Sequence, residues 1–281
     1  MKLLVEIENK NNLYLDSIDG IILPLDKYSV ESTCFFNIDE IKDIVDKNTC
    51  EVFVKINKNL MNEDIEDISK ILIELDKLNI SGIFFYDLAL LELKKELNLK
   101  VDLVWNQTHM VNNYKTCNYY YSKGVKYALL GKEITLDEIK EIIEKSDITA
   151  MVEVVSKPSI AFSKRHLITN YYDDLGKKGS KELVVHEKVT DEDFKLIEDE
   201  NGTTFFLDII TNGTVVIKDL FEAGCEYIIF RERGIECFEE LIKDTKKYIN
   251  DKCVDSNYIE KYKKLGDSTN FFFRKTIYKV K

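Results

Sequence analysis

Proline is almost absent from this chain: Pro24 and Pro158 are the only two in 281 residues. No proline- or glycine-rich stretch divides it into halves, so the sequence predicts one main domain carrying an insertion. Positive charge is also short. The 40 Lys and Arg face 51 Asp and Glu, and the net charge of −11 argues against a generic polyanion binder, though not against a local basic patch. No apolar run approaches the ~18 residues a membrane-spanning helix needs. The start, Met1-Lys2-Leu3-Leu4-Val5-Glu6, lacks the apolar core of a signal peptide. The expected location is therefore the cytoplasm, with no membrane partner. The cysteines Cys34, Cys50, Cys117, Cys225, Cys237 and Cys253 form no C-x-x-C pair and read as free structural thiols. H-E-x-x-H, G-x-S-x-G and Walker motifs are missing. The three histidines, His109, His166 and His186, have no cysteine at zinc-site spacing, so no metal site is expected.

What is present is a rhythm. Strand-like runs at Lys2–Ile7, Gly20–Leu25, Glu51–Asn57, Gly82–Tyr86, Lys100–Trp105, Tyr127–Leu130 and Thr149–Val155 alternate with helical ones. In Asp64–Leu78, for example, Ile65, Ile68, Ile71, Leu72 and Leu75 recur at helical spacing. Several strands are apolar on both faces, as a sheet covered by helices requires. Seven such units predict an α/β fold, a (β/α)8 TIM-like barrel, with Glu226–Phe230 as the eighth strand and Cys237–Asn250 as the closing helix. The dozen or so residues between the first two strands are too few for a full helix, so the first unit is irregular. Between strands seven and eight, about 156–210, the pattern turns hairpin-like: Glu182–His186, Phe194–Glu198 and Thr203–Leu207, with Asn201-Gly202 as a turn. The expected layout is a barrel over 1–250 with this β-rich insertion, then a C-terminal extension over 251–281, read as a helix followed by a strand at Asn270–Tyr278. The segment Ser163–Asp174 fits neither helix nor strand and reads as a loop over the barrel mouth.

Ligands of such barrels bind at the carboxyl ends of the strands. The residues there are Lys55 and Asn57, Tyr86 and Asp87, Trp105 to His109, Lys132 and Glu133, and Lys157. Asp87, Asn106 and Thr135 also stand where helix caps belong, so capping competes with binding as their role. Trp105, the one tryptophan, suits the core as well as a ligand platform. Glu198-Asp199-Glu200 reads as a solvated hairpin turn or an acidic site.

Several of these runs carry a family likeness. Leu103 to Asn113, Gly131 to Ile139, and the strand ends Val54-Lys55-Ile56-Asn57 and Phe85-Tyr86-Asp87 resemble segments of the peptidase U32 family. Phe162-Ser163-Lys164-Arg165-His166-Leu167-Ile168-Thr169-Asn170-Tyr171 is similar to that family's S-x-R-C-L-x-x-N-Y, and Glu198 to Thr203 to its E-D-x-x-G-T turn. The likeness covers about residues 2 to 235, in order. It implies a barrel whose members are named for collagenase-like proteolysis, and others of which take part in oxygen-independent or prephenate-dependent hydroxylation of tRNA wobble uridine, ribosomal RNA or ubiquinone precursors. Many members hold an iron–sulfur cluster on four cysteines. The first would stand at His166 and the next within Gly179–Val185, which has none, so no cluster is expected. The chain looks closest to a cluster-less branch that accompanies a longer U32 paralogue.

Three functions follow as expectations. The first is an accessory or degenerate subunit in tRNA wobble-uridine hydroxylation, paired with a paralogue that supplies most of the RNA contact. The second is a peptidase, a hydrolase by family name, although no protease constellation is visible and no catalytic residue can be named. The third is a non-catalytic structural partner. Under the first, a small anionic ligand would face Lys55, Lys132 and Arg165. Asn57, Gln107, Asn112 and Asn170 would orient it, and Asp87 and Glu133 complete the candidate set.

Overall fold

The computed structural model describes residues 1–107, 109–189, 191–266, 268–269 and 271–274. Eight parallel strands close into a barrel. They are β1 (Lys2–Glu6), β2 (Gly20–Pro24), β3 (Glu51–Ile56), β4 (Gly82–Phe85), β5 (Leu103–Trp105), β6 (Tyr127–Leu129), β7 (Thr149–Ser156) and, last in the chain, β13 (Tyr227–Arg231). Neighbours pair in sequence order, and β13 bridges β7 and β1 to complete the ring. Five outer helices follow strands two to six: α1 (Ile38–Lys47), α2 (Ile65–Leu75), α3 (Ala89–Glu96), α4 (Tyr114–Ser122) and α5 (Leu136–Lys145). The first unit has only a short 3-10 turn, Leu15–Ser17, in place of a helix.

Two cores result from the period-2 alternation of strand side chains. Leu3, Val5, Val52, Val54, Ile83 and Phe85 point outward and are covered by helix residues such as Ile41, Ile68, Leu72 and Leu75. Leu4, Ile22, Phe53, Phe84, Val104, Tyr127, Met151 and Ile229 fill the interior. Phe53, Tyr127 and Tyr227 meet edge-to-face there, with ring centroids 5.8–6.1 Å apart. Trp105 is fully buried and stacks on Tyr120 at 3.8 Å, so it belongs to the outer core.

The insertion is a four-stranded antiparallel sheet, ordered β8 (Ser159–Ser163), β11 (Gly202–Leu207), β10 (Glu192–Asp199) and β9 (Glu182–Glu187). It leaves the end of β7 and leans over the barrel mouth. Arg233 connects the two, stacking on Phe206 at 3.6 Å while its Nε donates to Glu8 at 2.9 Å. Asn201 Nδ2 donates to the Ser29 carbonyl at 3.3 Å, and Lys164 Nζ to that of Asn59 at 3.1 Å.

One expectation is overturned here. Leu167–Asp174, read as a loop, is a helix, α6. Its cap is not local. The Glu198 carboxylate, thirty residues away, accepts the Ile168 and Thr169 amides at 2.8 and 3.0 Å. The same carboxylate takes Lys181 Nζ and Thr169 Oγ1, and Thr203 Oγ1 accepts the Leu167 amide at 3.0 Å. Glu198 is thus a buried helix cap rather than part of a solvated turn. Asp199 Oδ1 closes the turn itself, accepting from Asn201 and Gly202.

Gly202 permits that closure. Its φ is +142°, and a Cβ there would lie 2.0 Å from the Ser163 carbonyl oxygen. Gly202→Ala is expected to destabilise the chain by roughly 1–3 kcal/mol through backbone strain, read as a lower denaturant midpoint at unchanged slope.

After β11 a two-residue strand, β12 (Thr211–Asn212), pairs antiparallel with β7. Then come α7 (Ile217–Glu222), α8 (Phe238–Asn250) and α9 (Ser256–Tyr262). Tyr258 of α9 stacks on Tyr248 of α8 at 4.3 Å. Of the strand expected at Asn270–Tyr278, residues 271–273 form a turn. Asn270 and residues 275–278 lie outside the described residues. Among the described residues no helix is long and apolar enough to cross a membrane.

Candidate functional site

The strand alternation that fills the barrel interior puts charge at its carboxyl end. Two residues beyond Leu4, Phe53, Met151 and Ile229, on the same faces, stand Glu6, Lys55, Glu153 and Arg231. All four are at least nine-tenths buried. Arg231 lies between the carboxylates, with Nη2 3.1 Å from Glu6 Oε2 and Nε 2.9 Å from Glu153 Oε2. The second approach is close without hydrogen-bond alignment, so it acts through charge alone. Lys55 Nζ binds Glu6 at 2.7 Å and Ser32 Oγ at 2.9 Å. Lys132 Nζ reaches Glu153 at 2.8 Å, where Ser156 Oγ also donates at 2.6 Å.

Burial alone would raise both carboxyls. The surrounding cations win: Arg231 and Lys55 hold Glu6 below the usual range, and Arg231 and Lys132 hold Glu153 at about 2. Burial pushes the Lys55 ammonium down, against the pull of Glu6. Burial acts the same way on Arg231, but its two carboxylate neighbours more than offset it and raise it further.

Above this layer opens a cavity of about 240 Å³. Lys55, Arg231 and Lys132 form its charged floor, Asn57, Tyr86 and Asn106 one wall, and the start of β8, Ser159 to Phe162, its cover. Glu31 stands at the rim, half-buried, with left-handed backbone (φ 61°). Its charge is felt by both Lys55 and Arg231. Asn106 is only 5% exposed, and its Oδ1 is buried without a hydrogen-bond partner among the described residues. A buried amide left so costs about 1–3 kcal/mol. Asn106→Leu is therefore expected to leave stability unchanged or raise it by up to about 1 kcal/mol, while weakening whatever the cavity binds. Thermal melting with and without a cavity ligand separates the two effects.

Of the residues chosen from sequence, Lys55, Asn57 and Lys132 line this cavity. Asn57 also accepts the Val30 amide at 2.9 Å, fixing the loop after β2. Glu133 borders a neighbouring hollow. Asp87 accepts the Leu60 and Ala89 amides, both at 2.9 Å, and so caps α3 and ties down the loop after β3. Gln107 donates to the Tyr86 carbonyl at 2.6 Å and accepts Trp105 Nε1 at 3.1 Å, bridging two strand ends. Asn112 is exposed and donates to the His109 carbonyl. Arg165 and Asn170 are exposed in and before α6 and do not line the cavity. Sequence reasoning did not single out Glu6, Glu153 or Arg231. The available signal was a charged residue two places beyond an apolar interior one near the carboxyl end of each of these four strands. Cys117 offers no nucleophile: it is buried in the outer core, and burial pushes its thiol up to about 11.

The model of peptidase family U32 matches residues 6–264. The chain belongs to that family. The U32 barrel is 28% identical over 263 residues to tRNA hydroxylation protein P2 of Bacillus subtilis (strain 168), covering 84% of each chain. It is 24% identical over 157 residues to tRNA hydroxylation protein P1 of the same organism, covering 54% of this chain and 37% of that one. Two U32 relatives thus exist as separate proteins in one organism. Among solved structures, orotidine 5'-monophosphate decarboxylase from Methanocaldococcus jannaschii overlays with a TM-score of 0.49 at 17% identity, over 89% of this chain and 98% of that one.

Proposed function

We propose that this U32 barrel is an accessory subunit in hydroxylation of the tRNA wobble uridine, working beside a longer U32 paralogue, and that its mouth cavity holds a small anion. The observation that carries the reading is the similarity to protein P2, which spans 84% of both chains. The charge layer supports the ligand class. Lys55, Lys132 and Arg231 outnumber the buried carboxylates Glu6 and Glu153, and Glu31 at the rim is the counter-charge an incoming anion would replace. The net charge of −11 supports leaving most of the RNA-backbone contact to the partner.

The donor set does not fit a four-thiolate iron–sulfur cluster. The insertion contains no cysteine, and His166 and Lys181 both lie against the Glu198 carboxylate instead. The U32 barrel is therefore read as working without a cluster of its own. Lys55, Asn57 and Lys132 are the ligand-facing residues in this reading, with Arg231 and Asn106 added. Asp87 and Gln107 shape the mouth.

Affinity purification of the tagged chain from its native host, followed by mass spectrometry, tests the assembly. The expected result is a longer U32 protein at comparable amount, together with a small organic anion that Asn106→Leu loses. Recovery of the chain alone, with no bound anion, contradicts the reading.

A further inference from the structure

The insertion ends in an open strand. In the order β8-β11-β10-β9, strand β9 has a neighbour on one side only among the described residues. Natural sheets blunt such edges with proline, a central charge, a bulge or a covering element. At its centre β9 has none of these. It reads Glu-Leu-Val-Val-His-Glu, and its pairing with β10 runs without a register shift. Val184 is 65% exposed and Val185 39%. Successive side chains point to opposite faces, so both faces are open there. The hydrogen-bond phase of the edge is also fixed. The Glu198 amide donates to the Lys181 carbonyl at 2.9 Å, and the same register sets Leu183 opposite Leu196 and Val185 opposite Phe194. Bonded and unbonded positions alternate along an antiparallel pair. Lys181, Leu183, Val185 and Glu187 therefore turn their backbone groups toward β10, and Glu182, Val184 and His186 turn theirs outward. The Ser180 hydroxyl accepts the Glu182 amide at 3.0 Å. The Val184 and His186 amides make no hydrogen bond among the described residues.

We infer that a second copy of this chain binds this edge, β9 antiparallel to β9, about a two-fold axis at Val184. An added strand must set outward-turned residues opposite outward-turned ones. Near the middle of β9 that leaves two symmetric registers, centred on Val184 or on Val185. The side chains choose between them. About Val184, the valine meets its own copy and Leu183 meets Val185, apolar on apolar. Glu182 then meets His186, an acceptor beside a donor, and Lys181 meets Glu187, opposite in charge. About Val185, Glu182 and Lys188 would match, but Leu183 would face Glu187 and Val184 would face His186. The strand is thus its own complement, as a two-fold interface requires. Each copy keeps its β10 pairing, and the two four-stranded sheets join into one. This inference does not rest on the tRNA reading.

The test is sedimentation equilibrium of the full chain over a dilution series. The expected mass at the concentrated end is twice the 32.8 kDa of one chain. Val184→Pro removes an outward amide and spares the bonds to β10, a place where a strand tolerates proline. By symmetry it deletes two hydrogen bonds per dimer and should raise the dissociation constant roughly ten- to a hundredfold. Circular dichroism shows that the variant is folded. Val184→Cys reads the register separately. Its two copies would stand about 5.5 Å apart between Cα atoms, within reach of a disulfide, so mild oxidation should link two chains. Glu182→Cys, whose copies would lie about 13 Å apart, should not link. The wild-type chain with its own free cysteines is the blank. A wild-type mass of one chain throughout overturns the inference. So does a dimer that Val184→Pro leaves intact, or one that Val184→Cys does not link. A Val184→Cys link to the longer paralogue, or a monomer that dimerises only once residues 275–281 are removed, means another occupant and overturns it equally.

Discussion

Arg231→Met is expected to destabilise the chain by about 3–5 kcal/mol, the cost of breaking a buried ion pair from one side. Arg231 touches both Glu6 and Glu153, at 3.1 and 2.9 Å. Methionine matches much of its length and removes its charge. Glu6 then keeps Lys55, and Glu153 keeps Lys132 and Ser156. Each carboxylate loses half its compensation at a depth where water does not replace it. At roughly 2–4 °C per kcal/mol for a chain of this size, the melting temperature should fall by about 10 °C. The comparison is Lys132→Met. Lys132 is more open to water, with 18% of its side chain exposed, so its loss should cost less than half as much. Equal losses would mean that Arg231 is not the hub of the layer. Arg231→Met combined with Glu6→Gln and Glu153→Gln should recover part of the stability, because the unpaired charges go with the arginine.

Acid should unfold the chain through the same layer. Glu153 titrates at about 2 in the folded chain against an ordinary value of 4.5. A depressed carboxyl gives stability that is complete above the unfolded value and is lost as pH falls through the folded one. The window is therefore from about 4.5 down to about 2, and Glu153 alone accounts for roughly 3 kcal/mol across it. Glu198, also held at about 2, has the same sign. Burial opposes its ionisation, but Lys181, Thr169 and the α6 amides prevail. Glu198 should report locally, by melting α6 and freeing the insertion. Glu153→Gln should flatten the global stability profile between pH 4.5 and 2. Glu198→Gln should leave that profile steeper than Glu153→Gln does, while raising protease sensitivity near Leu167–Asp174. An unchanged acid midpoint in Glu153→Gln would contradict the assignment of this layer as the acid-labile element.

The barrel was legible in the sequence because its signals are local. Helices α1, α2 and α5 carry their own apolar stripes, and the caps at Asn37, Asn113 and Thr135 are within a turn of the residues they serve. The irregular first unit was legible from chain length alone. Helix α6 was not, because its N-terminal amides are satisfied by Glu198 from the far side of a hairpin. The same limit applied to the site. Lys55, Asn57 and Lys132 could be placed at the mouth by counting to strand ends, and they line the cavity. Arg165 and Asn170 came from a family motif, which identifies a segment but not the direction of its side chains. Glu6, Glu153 and Arg231 lie far apart in sequence, and only closure of the ring brings β1, β7 and β13 together. Strand β8 was missed because its partner β11 lies some forty residues on and its pattern is interrupted by the bulge at Ile160.

The central claim is that this U32 barrel serves tRNA hydroxylation. Its most direct test is the 5-hydroxyuridine content of total tRNA, measured by nucleoside mass spectrometry in a native-host strain lacking the chain. The strain should lose the modification, and the wild-type chain, but not Asn106→Leu, should restore it. Normal 5-hydroxyuridine in the deletion strain would contradict the account.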